Sequence, residues 1–236
     1  MLLLFFGIAA AIAALAHTAP FPFAIDALHA GRVIWRMPHA GRPPTIYLTY
    51  DDGPNPTATP DVLDALKAEG VKATFFLIER HLTEETEPIV RRMVAEGHAV
   101  ALHSHTRGHM FVRPAELGRR LTLFAARLES ITGQPSCRAY RPHAGARSWQ
   151  MLEGLAQIDY QMVGWGFMLW DFDFFRARSA RIVPRLVRRA SPGDIVVIHD
   201  GDHKNPRADR RYAIDVTRAL IPELRQRGFQ FGVVCP

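Results

Sequence analysis

The chain has 236 residues, two of them cysteines, a formal charge of +6 and 48% hydrophobic residues. This length suits one large domain or two small ones, and the composition is typical of a globular protein rather than a disordered one. Arginine is spread along the chain without a basic tract interleaved with aromatic residues, so the sequence does not indicate nucleic-acid binding.

The N-terminus carries an apolar run at residues 2–16, which ends in Ala14-Leu15-Ala16. That ending resembles the small-residue pattern before a signal-peptide cleavage site, and the run is short for a membrane span. No Lys or Arg precedes it, so an uncleaved anchor and a buried helix remain alternatives. We expect residues 1–16 to direct export, with a periplasmic, secreted or membrane-anchored product, and residues 17–43 to form a lead-in segment.

Strands and helices alternate along residues 44–236. The predicted strands are rich in β-branched and aromatic residues and lie near 45–50, 71–78, 98–102, 137–140, 161–165, 194–198 and 229–234. The predicted helices lie near 59–69, 87–96, 114–132, 148–156, 180–190 and 212–227. Such alternation implies parallel strands joined by right-handed crossovers, and seven units predict one α/β domain, a (β/α) barrel that is distorted or incomplete. Its chemistry is expected at the carboxyl ends of the strands.

The first predicted strand runs directly into two carboxylates, Asp51 and Asp52, before Gly53-Pro54 turns the chain. Two acids at the end of a buried strand are costly unless they are used, and neighbouring strand residues point to opposite faces. One acid is therefore suited to binding a cation and the other to accepting a proton. The alternative is ordinary turn chemistry, in which Asp51 only caps the loop.

Histidines follow the third predicted strand. His105 and His109 are four residues apart, a spacing that places two imidazoles on one side of a helical turn, and His103 precedes them. Such pairs commonly bind zinc or a similar divalent metal, although an isolated pair is more often a surface coincidence.

Two further strand ends carry candidate groups. Arg141 is placed to orient a carboxylate through paired hydrogen bonds, with a surface ion pair as the alternative. His199 follows a continuous apolar strand and is placed for proton transfer, with a core histidine bonded to backbone as the alternative. Cys137 and Cys235 are compatible either with a disulfide or with two buried thiols.

These residues carry a family resemblance. Thr49-Tyr50-Asp51-Asp52-Gly53-Pro54 resembles the first motif of the polysaccharide deacetylases (the NodB-homology group), and the histidine motif, Arg141-Pro142 and Ile198-His199-Asp200 follow in the family's order. The resemblance implies that Asp51 is the catalytic base, that Asp52 is a metal ligand, and that Arg141 orients Asp51. It also implies that His199 is the general acid and that Asp171, with Asp173 as a rival, tunes proton transfer.

The histidine motif departs from the family pattern. Counting from Gly97-His98 puts the first ligand at His103 and the second at Arg107, which cannot bind a metal. If His105 is the first ligand, His109 is the second and the motif keeps both histidines. The strand before the motif is then two residues longer than in the family pattern. We favour His105 and His109 as the ligands, with His103 as the alternative first ligand. His143-Ala144 stands where the family has Pro-Tyr.

The resemblance predicts a metal-dependent hydrolase that removes N-acetyl or O-acyl groups from an envelope or extracellular polysaccharide. Its cofactor is expected to be a divalent metal, zinc before cobalt, nickel or manganese. Two alternatives remain: a carbohydrate-binding or scaffolding protein on a degenerate deacetylase fold, and a hydrolase of a small non-sugar amide.

Overall fold

The structure is a computed structural model that describes residues 4–10, 31–168 and 179–235. Residues 4–10, part of the apolar N-terminal run, are helical and exposed. No helix within these ranges is long and apolar enough to cross a membrane. Asp171 and Asp173, the two candidates for tuning proton transfer, lie outside the described residues.

The strands are short and mostly buried. Within the described ranges they are β1 (Val33–Ile34), β2 (Thr45–Gly53), β3 (Thr74–Ile78), β4 (Ala99–His103), β5 (Ala139–Arg141), β6 (Gln161–Val163), β7 (Phe167–Met168), β8 (Ile195–His199) and β9 (Gln230–Gly232). All seven predicted strands are present. The two-residue strands β1 and β7 were not predicted.

Four of the six described helices begin at residues with the expected N-terminal signals. They are α1 (Thr59–Ala68), α2 (Glu87–Ala95), α3 (Pro114–Thr132), α4 (Trp149–Gln157), α5 (Ser179–Arg189) and α6 (Arg211–Gln226). Proline occupies the first turn of α1, α2 and α3, where the missing N–H has no helical partner. Gly133 ends α3 in the left-handed region at φ 75°, and the Ser148 side chain caps α4 by accepting a hydrogen bond from the Met151 amide.

The strands form one parallel sheet in the order β1-β6-β5-β4-β3-β2-β8-β7, and β9 also pairs with β2. Each pairing between these strands is parallel. The helices connect the strands, as parallel pairing requires. The predicted α/β fold, an incomplete (β/α) barrel, is confirmed, and β2 lies near its middle.

Alternate residues of β2 face two different hydrophobic cores. Ile46, Leu48 and Tyr50 belong to the larger core, which also contains the apolar faces of the helices, whereas Tyr47 belongs to a smaller one. Side chains of a strand alternate between its faces. The residues that follow Tyr47 at intervals of two, Thr49 and Asp51, therefore point into the barrel with Tyr47.

The segment around β1 lies across the gap between β6 and β8. Strand β1 pairs with β6, Trp35 packs edge-on against Trp165 at 5.9 Å between ring centroids, and Arg36 forms an ion pair of 2.6 Å with Asp194 at the start of β8. The Met37 amide also donates to the Gly193 carbonyl at 2.9 Å. We call residues 33–37 the seam segment, because it joins both sides of the gap.

A disulfide links Cys137 and Cys235, whose Cα atoms are 5.1 Å apart. It joins residues that are 98 positions apart in sequence, one before β5 and one after β9. The structure therefore supports the paired state over two free thiols. Disulfides persist mainly in oxidising compartments.

Candidate metal centre and active site

The first candidate group is a buried ion pair between Asp51 and Arg141. The Arg141 Nη1 atom donates to Asp51 Oδ1 at 2.5 Å, and neither side chain is appreciably exposed. Strands β2 and β5 are not neighbours in the sheet, so this contact spans the interior of the barrel. The predicted pairing of these two residues is present in the structure.

Arg141 is fixed by four further contacts. Its Nη1 atom also donates to Thr49 Oγ1 at 2.8 Å, and its Nε and Nη2 atoms donate to the Val163 and Gly164 carbonyls. The guanidinium lies 3.9 Å from the centre of the Phe76 ring. Burial lowers the pKa of Arg141 and the Asp51 carboxylate opposes that shift, so the guanidinium stays charged at neutral pH.

Asp52 follows Asp51 but turns away from the regular strand. Its φ is 68°, a left-handed conformation that Asp tolerates better than most residues, and the pairing of β2 with β3 shifts register between Asp51 and Gly53. The β8–α6 loop approaches closely here, since a Cβ atom on Gly201 would lie 1.9 Å from the Asp52 carbonyl oxygen. A glycine is therefore required at position 201.

Asp52, His103 and His143 bring one ligand atom each within 4.8 Å of one another. The His103 Nε2 atom lies 3.2 Å from Asp52 Oδ1. Burial alone would raise the pKa of the Asp52 carboxyl, but its contact with His103 and the nearby imidazoles hold that pKa below its usual range. One carboxylate and two imidazoles form a donor set of the kind that binds zinc.

The ring of His103 is oriented for metal binding. Its Nδ1 atom lies 2.8 Å from the Arg141 carbonyl, a contact that favours the tautomer with the proton on Nδ1. The Nε2 atom then faces Asp52 Oδ1, a buried oxygen that makes no hydrogen bond of good geometry with any described residue. Burial opposes protonation of His103, but the Asp51 and Asp52 carboxylates outweigh it and raise the pKa of that imidazole. A cation, either a proton or a divalent metal, therefore suits the space between these two atoms.

His143 reaches the cluster from the loop after β5. Its amide donates to Ser104 Oγ at 2.8 Å, and the next residue, Ala144, has a φ of 52°. Burial and the neighbouring His103 lower the pKa of His143 to about 4, so its imidazole is neutral, as a ligand must be. His203 lies beside it, with 4.3 Å between ring centroids.

His105 and His109, the favoured ligands of the sequence analysis, are not members of this cluster. Thr106 between them is extended, and Arg107–Phe111 is a 3-10 helix rather than an α-helical turn. His109 instead contacts the Tyr140 hydroxyl through Nδ1 at 2.9 Å. The cluster therefore contains Asp52 and His103 from the predicted set and adds His143, which the sequence analysis noted only as a departure from the family pattern.

His199 ends β8 directly opposite Asp51 in the register of the β2–β8 pair. The next residue, Asp200, is fully buried close enough to Asp51 and Asp52 to be influenced by their charges, and its side chain accepts a hydrogen bond from Thr59 Oγ1. Burial raises the pKa of Asp200 to about 7. Sequence reasoning missed Asp200 as a part of the site, although its place after an apolar strand was a usable signal.

Known proteins resemble both the sequence and the fold. A family model described as polysaccharide deacetylase matches residues 39–163, just over half of the chain. A chitooligosaccharide deacetylase of Bradyrhizobium is 37% identical over 196 residues, which span 79% of this chain and 87% of that protein. A peptidoglycan-N-acetylglucosamine deacetylase of Bacillus cereus is 29% identical and covers 86% of this chain and 92% of its own.

The fold is similar to that of a solved peptidoglycan N-acetylglucosamine deacetylase. The TM-score is 0.76 at 24% sequence identity, and the match covers 91% of this chain and 95% of that one. The structural match thus agrees with the incomplete barrel described above. The chain belongs to the polysaccharide deacetylase family.

Proposed function

We propose that this protein is a metal-dependent hydrolase that removes N-acetyl groups, or O-acyl groups, from an envelope or extracellular polysaccharide. The observation that carries the proposal is that a candidate metal site and a candidate catalytic base lie side by side. The Asp52–His103–His143 cluster fits a divalent cation, and the ion-paired Asp51 lies next to it in the chain. The relatives of this chain are named for deacetylating chitooligosaccharide and peptidoglycan.

The metal ligands are proposed to be Asp52, His103 and His143, with zinc as the favoured ion because the set has two imidazoles and one carboxylate. Cobalt, nickel and manganese are alternatives. A divalent cation held by these groups supplies Lewis-acid activation of the acyl carbonyl and of water. The competing assignment is the alignment to the family motif in which His105 and His109 are the two histidine ligands.

Two side chains of the protein would carry out the proton transfers. Asp51 takes the proton of the attacking water, because the hydrogen bond from Arg141 holds its carboxylate in a fixed orientation. His199, which comes from the neighbouring strand, donates a proton to the leaving nitrogen. Arg141 acts through Asp51 and is a positioning residue.

Substituting either proton-transfer group is expected to slow turnover without removing the metal. Asp51→Asn and His199→Ala should each lower kcat by about 10²–10⁴-fold, the usual range for general acid–base catalysis. Acetate release from an N-acetylglucosamine tetramer measures turnover, and elemental analysis of the same samples measures metal content.

Asp215→Asn, an exposed change on α6, is the matched control and should keep the wild-type rate. A wild-type protein that retains one equivalent of metal and binds the tetramer but releases no acetate would favour the carbohydrate-binding alternative. Near wild-type rates for both variants would exclude this assignment of base and acid.

We also propose that the protein is exported. The apolar N-terminal run and the Cys137–Cys235 disulfide support this, since disulfides are rare in reducing compartments. We expect a mature N-terminus near His17, measured by N-terminal sequencing of protein from the envelope fraction. An intact Met1 in the membrane fraction would indicate an anchor instead, and an intact Met1 in the cytoplasm would contradict export.

A further inference from the structure

A cavity of about 380 Å³ lies beside the proposed metal centre. It is bounded by the end of β3, the β4–α3 connection and the inner side of α3, and it is lined by Glu79, Arg80, His103, His105, His109, Arg120, Leu121, Phe124 and Arg127. His103 belongs both to this lining and to the Asp52–His103–His143 cluster. A ligand group in the cavity would therefore be part of a molecule that also reaches the metal centre.

The lining is strongly basic. It contains three arginines and a single acid, Glu79. The Arg127 Nη2 atom donates to the Leu82 carbonyl at 2.6 Å, a contact that fixes the side chain without neutralising its charge. Among the described residues, a carboxylate partner is found for Arg120, whose Nε atom donates to Glu116 at 2.6 Å, and not for Arg80 or Arg127.

Arg80 stands at the exposed rim and makes no ion pair or side-chain hydrogen bond with any described residue. It is the residue after Glu79, which also lines the cavity, and both lie in the short 3-10 helix Glu79–His81 after β3. A guanidinium offers five N–H donors in a planar fork that matches a carboxylate or phosphate. Arg80 can therefore bind an anionic ligand without breaking a contact to any residue that the structure describes.

Two imidazoles and an apolar surface complete the lining. His105 and His109 have ring N–H groups of the kind that donate hydrogen bonds to an anion. Leu121 and Phe124 supply an apolar wall for the sugar ring that carries the anion.

We propose that this cavity binds an anionic substituent, a carboxylate or a phosphate, of the acylated sugar chain whose acyl group is presented to Asp51 and the metal centre. The proposal rests on the proposed function and adds a substrate class to it. Arg80 is the main specificity residue. The preferred substrate is then an acidic polysaccharide rather than a neutral one.

The test compares three N-acetylglucosamine tetramers: the neutral one, one carrying a 6-carboxylate and one carrying a 6-phosphate. The wild-type protein is expected to show a kcat/KM about 10-fold or more higher for an anionic tetramer, because hydrogen bonds to a charged group are among the stronger ones. Arg80→Gln should remove that preference through KM while leaving kcat and the neutral substrate nearly unchanged. The two anionic arms show which anion is favoured.

Arg218→Gln is the matched control, since it removes the same charge from an exposed position on α6, away from the cavity. It should keep the preference. Equal kcat/KM for all three tetramers, or an equal loss in both variants, would overturn the proposal and leave the deacetylase function standing.

Binding gives a readout that does not depend on turnover. Asp51→Asn, which should bind substrate without fast hydrolysis, is compared with the double variant Asp51→Asn/Arg80→Gln by titration calorimetry. We expect the anionic tetramer to bind the single variant about 10-fold or more tightly than the double variant. Equal affinities would refute the cavity as an anion site whether or not the protein is a deacetylase.

Discussion

His143→Ala is expected to deplete the purified protein of divalent metal, whereas His109→Ala is expected to retain it. Loss of a group that merely orients a ligand lowers metal affinity roughly 10–100-fold, so loss of a ligand should lower it by at least about 100-fold. Elemental analysis after dialysis and metal titration by competition with a chelator measure the effect. Deacetylase activity should fall with metal occupancy.

The comparison of His143→Ala with His109→Ala distinguishes the two assignments of the histidine ligands. Both His143 and His109 are partly buried imidazoles, but only His143 lies in the cluster with Asp52 and His103. Metal loss in His109→Ala together with retention in His143→Ala would restore the His105–His109 assignment. A sharper variant is His143→Ala/Arg107→His, which returns a histidine to the position that the count from His103 gives for the second ligand. Recovery of metal binding would show that the two departures from the family pattern compensate each other.

Arg141→Ala is expected to lower the free energy of unfolding by about 3–5 kcal/mol at pH 7, the usual result of removing one partner of a buried ion pair. The change leaves Asp51 buried without its counter-ion and removes donors from Thr49 and from the Val163 and Gly164 carbonyls. Urea unfolding monitored by circular dichroism measures the loss. Arg218→Ala, an exposed substitution on α6, should stay within about 0.5 kcal/mol of wild type. A loss of stability below about 1 kcal/mol in Arg141→Ala would contradict the structural role assigned to this pair.

The parallel barrel could be predicted because its strands are continuous apolar runs separated by helices with recognisable ends. Strand β8, Ile195–His199, is such a run, and its neighbour β2 carries the two acids at the same edge. Strand β1 could not be predicted, since two residues have no periodicity. Its pairing with β6 depends on contacts that form only when the barrel does.

The proposed metal ligands were only partly accessible to sequence reasoning. The four-residue spacing of His105 and His109 indicates a shared face only if the intervening chain is α-helical, and Thr106 is extended. His143 is distant in sequence from both other members of the cluster. It is brought to them by the turn at Ala144 and by the hydrogen bond from its amide to Ser104, neither of which leaves a periodic signal.

The seam segment sets a limit on the proposed removal of the N-terminal run. Residues 33–37 precede the strand that carries Asp51, yet they contact both β6 and the residue before β8. Cleavage near His17, as proposed, would leave these contacts intact. Cleavage between the seam segment and β2 would instead remove β1 and expose the edge of β6. If the chain is processed, a mature protein that keeps these contacts must therefore begin upstream of Val33.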